Sequence, residues 1–223
     1  MIQRLSIANL DCLCSIAKTP GNIAYILYPM DMLADWIEQA SLKYGVSIVV
    51  ITGMDWQNVF SPWPAKGVPR GTEDFKGQSP EFLNLLQTTV TPAIESHIGM
   101  SEKPNRSLIG VSMSGLFALW QWMVCDTFHN IASLSGSFWY EGFLEWMQRL
   151  AIPPKTGRGY FLLGSKESKS NVREFNTVGH NTDEIVTLLS DAGIKVGFQS
   201  VPGDHYSDPI PRLDRAFTSL FLP

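Results

Sequence analysis

Ser112 lies in the run Leu108-Ile109-Gly110-Val111-Ser112-Met113-Ser114-Gly115-Leu116-Phe117, which reads as a buried strand broken by a serine and continued as a helix. A serine at such a turn is held in a strained backbone conformation, and small neighbours keep other side chains from blocking its hydroxyl. The chemistry that suits it is attack on an acyl carbon. That reaction needs a base to take the hydroxyl proton and an anion to hold the base in the right tautomer.

The chain has four histidines. His97 ends a long predicted helix, His129 lies in a helix-to-strand connection, and His180 sits just before a predicted helix cap; all three suit surface or structural roles. His205 differs, because Val201-Pro202-Gly203-Asp204-His205-Tyr206 is a loop directly after the last predicted strand and emerges at the same sheet edge as Ser112. An imidazole paired to a carboxylate there can store a proton between attack and leaving-group departure. For the acid, chain order points to Gly164-Ser165-Lys166-Glu167, which brings Glu167 to another strand end. Asp204 is too close in sequence to reach the His205 ring easily, Asp208 suits a helix cap, and Asp183 suits a first-turn charge. A tetrahedral oxyanion needs backbone N–H donors. Met113, after the nucleophile, and Met32, in the loop Tyr28-Pro29-Met30-Asp31-Met32, are the expected donors, although both methionines would also serve as core filler.

These residues need a scaffold. Short β-branched or aromatic runs bounded by turn residues predict strands at Ile23–Tyr28, Ser47–Thr52, Arg106–Val111, Asn130–Leu134, Tyr160–Gly164 and Val196–Val201. Helices are expected at Met32–Tyr44, at Pro80–His97, at Asn181–Ala192 with Asn181 and Glu184 as a capping box, and from Asp208-Pro209 onward. This βα alternation calls for a mostly parallel sheet with helices on both faces and a ligand site beyond the carboxyl ends of the strands. Two stretches break the rhythm. Gly53–Gln78, with Trp56, Phe60 and Trp63, reads as a long ordered loop over a pocket, and Ser135–Tyr140 carries Phe138, Trp139 and Tyr140 as core or pocket-wall residues. Trp56, Phe60, Trp63 and Trp139 are the expected substrate-binding set.

Composition narrows the partners. With 223 residues, 44% of them hydrophobic, residues 1–223 are read as one α/β domain. A net charge of −4 without a Lys/Arg cluster argues against nucleic-acid binding. Cys12, Cys14 and Cys125 lack the spacing of a metal knuckle or redox pair, so no metal or cofactor is expected and a reducing, cytoplasmic setting is. No export signal is read at the amino terminus. Residues 107–125 carry no charge, long enough for a membrane span, but the glycines and serines in their first half fit a buried strand-turn-helix instead.

The segments Gly110–Leu119, Ser133–Trp139, Gly164–Glu167 and Gly203-Asp204-His205 with Asp208 and Arg212 downstream, together with Asp55-Trp56 through Pro64, resemble the α/β-hydrolase superfamily. Within it they are similar to the esterase group that includes esterase D, tributyrin esterases and enterochelin (siderophore) esterases. The resemblance spans most of the chain. It implies Ser112 as nucleophile, His205 as base, Glu167 as acid, and Met113 and Met32 at the oxyanion-hole positions. The chain departs from that pattern at Ser114 and Met32, where glycine is more usual, and in an amino-terminal edge that looks abbreviated. The expected function is a serine carboxylic-ester hydrolase working through an acyl-enzyme on a small or aromatic ester. The alternatives are a siderophore esterase, an acyltransferase, and a non-catalytic ligand-binding protein on the same scaffold. A strongly anionic siderophore would call for several cationic residues, and the loop supplies only Lys66, Arg70 and Lys76.

Overall fold

The computed structural model describes residues 2–18, 21–28, 33–100 and 103–222. Its strands are β1 (Ile2–Ile7), β2 (Leu10–Ser15), β3 (Asn22–Leu27), β4 (Ser47–Thr52), β5 (Pro64–Ala65), β6 (Phe75–Lys76), β7 (Asn105–Val111), β8 (Asn130–Leu134), β9 (Arg158–Gly164) and β10 (Lys195–Val201). The α-helices are α1 (Ala34–Tyr44), α2 (Ser79–Leu85), α3 (Thr91–His97), α4 (Met113–Val124), α5 (Phe143–Arg149), α6 (Val178–Asp191) and α7 (Pro209–Phe221).

Eight strands form one sheet in the order β1-β2-β4-β3-β7-β8-β9-β10. From β4 to β10 all neighbours are parallel, so this is the mostly parallel α/β sheet that the alternation predicts. The buried strands are apolar on both sides, as two-sided coverage demands. Ile23, Tyr25 and Leu27 pack with α2 to α6, whereas Ala24 and Ile26 pack with α1 and α7. The chain leaves β3 for β4 on one side and returns to β7 on the other. That reversal opens a crevice at the carboxyl ends of β3 and β7, where open α/β sheets bind ligands.

The amino-terminal edge is fuller than its sequence suggests. Residues 2–15 form an antiparallel hairpin, with β2 pairing antiparallel to β4 as well. Its turn uses Ala8 and Asn9 at positive φ (51° and 63°), without the Asn-Gly or Asp-Gly pair that usually marks a two-residue hairpin. The pairing therefore left little local signal.

The predicted helix Pro80–His97 is one rod with a defect, in which α2 passes through a π turn at Leu86–Val90 into α3. Pro92 accounts for it, since proline lacks an N–H and its ring collides with the carbonyl four residues back in a regular helix. Thr91 closes the wider turn, donating both its N–H and its hydroxyl (2.8 Å) to the Leu86 carbonyl. α6 also begins earlier than the capping box predicts. The Asn181 side chain donates to the Phe138 carbonyl at 2.7 Å instead of capping, and His180 falls inside the helix.

Gly110 makes the strand-to-helix join possible: a Cβ there would lie 2.0 Å from the Ser114 carbonyl oxygen. Backbone cannot yield as a side chain does. Gly110→Ala is expected to destabilise the protein by about 3 kcal/mol, at the upper end of overpacking costs, read as a lowered urea midpoint at unchanged m-value.

Candidate active site

Ser112 follows β7 directly and is the residue before α4, with φ 58° and ψ −121°. This strained, non-glycine conformation persists only where its surroundings enforce it. Here they do. Gly110 admits the Ser114 carbonyl, and Gly115 packs so close to β8 that a Cβ would lie 2.8 Å from Ser133 Oγ. Ser114, where the resemblance expects glycine, is buried and uses its hydroxyl. Its Oγ accepts from the Val111 N–H at 2.7 Å and lies 2.9 Å from both the Val111 and Leu27 carbonyls, tying the turn to the end of β3.

Strand register aligns the rest of the site. Val111 pairs with Leu134, Leu134 with Leu162, and Gly164 with Val201, so the loops after β7, β8, β9 and β10 leave the sheet side by side. His205 Nε2 lies 3.1 Å from Ser112 Oγ, and its Nδ1 lies 2.9 Å from Glu167 Oε2. A carboxylate accepts only, so Nδ1 carries the proton of the neutral ring and Nε2 is left to accept from the serine. Ser112, His205 and Glu167 thus form one hydrogen-bonded chain.

Glu167 is buried, and its other oxygen is fully engaged. Oε1 accepts from Ser135 Oγ (2.7 Å) and the Gly164 N–H (2.7 Å), with Arg212 Nη1 at 3.3 Å. Burial pushes the carboxyl's pKa up, but the hydrogen bonds from His205, Ser135 and Gly164 outweigh it and hold it below the usual carboxylate range. Arg212 also donates to the Asp204 carbonyl. Asp204 Oδ1 in turn accepts from the Tyr206 N–H (3.0 Å) and Ser207 Oγ (3.2 Å), shaping the loop that presents His205. Asp208 accepts from the Ile210 N–H at 3.0 Å as the cap of α7.

Two adjacent lobes, both lined by Ser112 and His205, open here. One, of about 480 Å³, is lined by Tyr28, Trp56, Leu134 and Tyr206; the other, of about 680 Å³, by Pro69, Trp139, Phe175, Lys166, Lys169 and Tyr206. Of the aromatic residues expected at the substrate, Trp56 and Trp139 line this cleft. Phe60 and Trp63 do not. Phe60 is fully buried between Trp56, Phe82 and Phe117, and Trp63 packs on Phe143, Tyr140 and Trp146 with its Nε1 donating to the Glu141 carbonyl. Both belong to the apolar layer under the loop. Phe138 and Tyr140 are likewise core residues. Met113 is the first residue of α4, where helix geometry leaves an N–H without an intrahelical partner; Met32 lies outside the described residues.

Sequence reasoning overlooked Ser135 and Ser137, which follow β8, and assigned Arg212 no role. Ser137 Oγ is 3.3 Å from Ser112 Oγ. The signals were a serine pair directly after the strand beside that of Ser112, and an arginine on the apolar stripe Leu213-Ala216-Phe217-Leu220 of the last helix.

Residues 27–216 match the family model described as "Putative esterase". The chain belongs to this esterase family. It is 28% identical over 162 residues to "Uncharacterized protein YbbA" of Bacillus subtilis, covering 70% of this chain and 65% of that protein. It is 26% identical over 133 residues to the apo-salmochelin esterase of Escherichia coli O6:H1, covering 56% of this chain and 41% of that one. The matches thus span less than two thirds of these curated relatives' lengths. Among solved structures, an IroE-like serine hydrolase from Shewanella oneidensis superposes with TM-score 0.79 at 17% identity, covering 99% of this chain and 80% of that one. The fold is that of α/β-hydrolases.

The lowered pKa of Glu167 sets a stability signature. A carboxylate whose pKa is depressed on folding contributes stability that is present above its unfolded value, about 4.3, and is lost as pH falls through the folded value. The stability advantage of wild type over Glu167→Gln should therefore shrink as pH falls below about 4, measured by urea unfolding across pH.

Proposed function

We propose that this chain is a serine carboxylic-ester hydrolase acting through an acyl-enzyme on a small or aromatic ester. One observation carries the reading: Ser112 Oγ, at a strained turn, lies 3.1 Å from His205 Nε2 while Nδ1 lies 2.9 Å from the buried Glu167. Ser112 attacks the ester carbonyl and its proton passes to Nε2. The oxyanion is held by the Met113 N–H at the start of α4, whose positive end favours negative charge. The tetrahedral adduct collapses, the ester C–O bond breaks, and Nε2 returns the proton to the departing alkoxide. Water then repeats the sequence on the acyl-enzyme and releases the acid. Glu167 keeps the ring oriented and stabilises the imidazolium.

Tyr28, Trp56, Trp139, Phe175 and Tyr206 around the lobes suit apolar or aromatic ester groups. The three cysteines are free thiols, which suits the reducing cytoplasm, and no helix among the described residues is long and apolar enough to cross a membrane. A second reading, a siderophore ester as substrate, draws on Lys166 and Lys169, which line the larger lobe. They supply positive charge where the long loop does not, since Lys66 is paired to Asp74 at 2.8 Å and neither Arg70 nor Lys76 lines a lobe. The apo-salmochelin esterase relative points the same way.

A fluorophosphonate probe should label wild type and not Ser112→Ala, and short p-nitrophenyl esters should be hydrolysed only by wild type; absence of both overturns the hydrolase reading. Glu167→Gln should cut kcat about 100-fold or more, as loss of the tautomer-setting anion does. For the substrate class, Lys166→Ala combined with Lys169→Ala should lower kcat/KM about tenfold for anionic aryl esters, the scale of two exposed charge contacts taken together. Neutral esters should be unaffected. Equal effects on both would remove the case for an anionic substrate.

A further inference from the structure

Ser137 is nearly fully buried, and among the described residues its hydroxyl has one hydrogen-bond partner, Ser112 Oγ at 3.3 Å. Its backbone is fixed around that contact. The Ser137 N–H donates to the Ser112 carbonyl at 3.0 Å, and its own carbonyl accepts from the Tyr140 N–H at 3.0 Å. The preceding Gly136 cannot be replaced without collision, because a Cβ would lie 2.2 Å from Ser133 Oγ. The two hydroxyls are held together by the main chains of two adjacent strand ends.

The direction of this hydrogen bond follows from His205. The Ser112 hydroxyl has one proton and two lone pairs. With Nδ1–H committed to Glu167, Nε2 of the neutral ring can only accept, so the Ser112 proton points to the histidine. Ser112 Oγ then meets Ser137 with lone pairs alone. Ser137 must be the donor.

We propose that Ser137 is a catalytic residue, a hydrogen-bond donor to the Ser112 oxygen while that oxygen carries partial negative charge. The proposal rests on the serine hydrolase reading. As the Oγ–carbonyl carbon bond forms, the Ser112 proton is in transit to Nε2 and Oγ is briefly alkoxide-like. The same charge develops when the deacylation intermediate collapses, as that bond breaks and Nε2 returns the proton to Oγ. In both directions the Ser137 proton stays on its own oxygen. A donor aimed at charge that exists only in the transition state accelerates the step without tightening substrate binding.

The test is the pH dependence of fluorophosphonate inactivation and of p-nitrophenyl acetate hydrolysis for wild type, Ser137→Ala, Ser137→Cys and Ser137→Thr, with melting temperatures recorded for each. Ser137→Ala should lower the plateau of the inactivation rate and kcat about tenfold, the lower edge of what a lost donor to developing charge costs. KM and the midpoint of the profile should not change. Ser137→Cys, a weaker donor of similar shape, should behave like alanine and carries the test if alanine fails to fold. Ser137→Thr, which keeps the hydroxyl, should stay within about threefold of wild type. Plateaus for Ser137→Ala or Ser137→Cys within twofold of wild type overturn the proposal while leaving the hydrolase reading intact. A wild type that neither labels nor turns over overturns the reading on which it rests.

Discussion

A buried carboxylate must be satisfied or it will not stay charged, and the way Glu167 is satisfied organises this molecule. Its two oxygens draw donors from the end of β9 (Gly164), the loop after β8 (Ser135), the loop after β10 (His205) and the last helix (Arg212). Separate lengths of chain thereby converge on one group. Without that convergence the loops after β8, β9 and β10 would share only a sheet edge. Tight contacts reinforce it: a Cβ at Gly164 would meet the Gly203 carbonyl at 2.7 Å and Glu167 Oε1 at 2.8 Å. Arg212 binds this node to the loop that carries His205, so the orientation of the His205 ring and the ionisation of Glu167 are set by the same few atoms.

The serine turn is held by different means. Ser112 is constrained by close packing of backbone on backbone at Gly110 and Gly115 and by the Ser114 hydroxyl. Packing places Ser112 and polar contacts place His205, and the two meet because β7 to β10 are parallel neighbours in register.

How much of this was legible in the chain depends on how local each cause is. The six parallel strands predicted from short apolar runs all occur, within a residue or two at their ends, because two-sided burial demands such runs. Ser112, His205 and Glu167 could be nominated because each follows a strand, and strand ends in a parallel sheet share one edge. Long-range partners were harder. The hairpin of residues 2–15 turns through Ala8 and Asn9 and is extended by β2 pairing with the distant β4, and Asn181 gave up its capping role for a carbonyl 43 residues away. Phe60 and Trp63 share the loop of Trp56, and only the packing of Phe82, Phe117, Phe143 and Trp146 beneath them separates core from cleft. Ser135, Ser137 and Arg212 acquire meaning only from what folds against them.

Ser114 has a further consequence. Its hydroxyl bridges the turn to the Leu27 carbonyl on the neighbouring strand, so the position of Ser112 is fixed from the end of β3 as well as from β7. The turn is thereby braced by two strands rather than by the side chains that line the lobes. The residues lining the two lobes can then change in evolution without disturbing the turn beneath them.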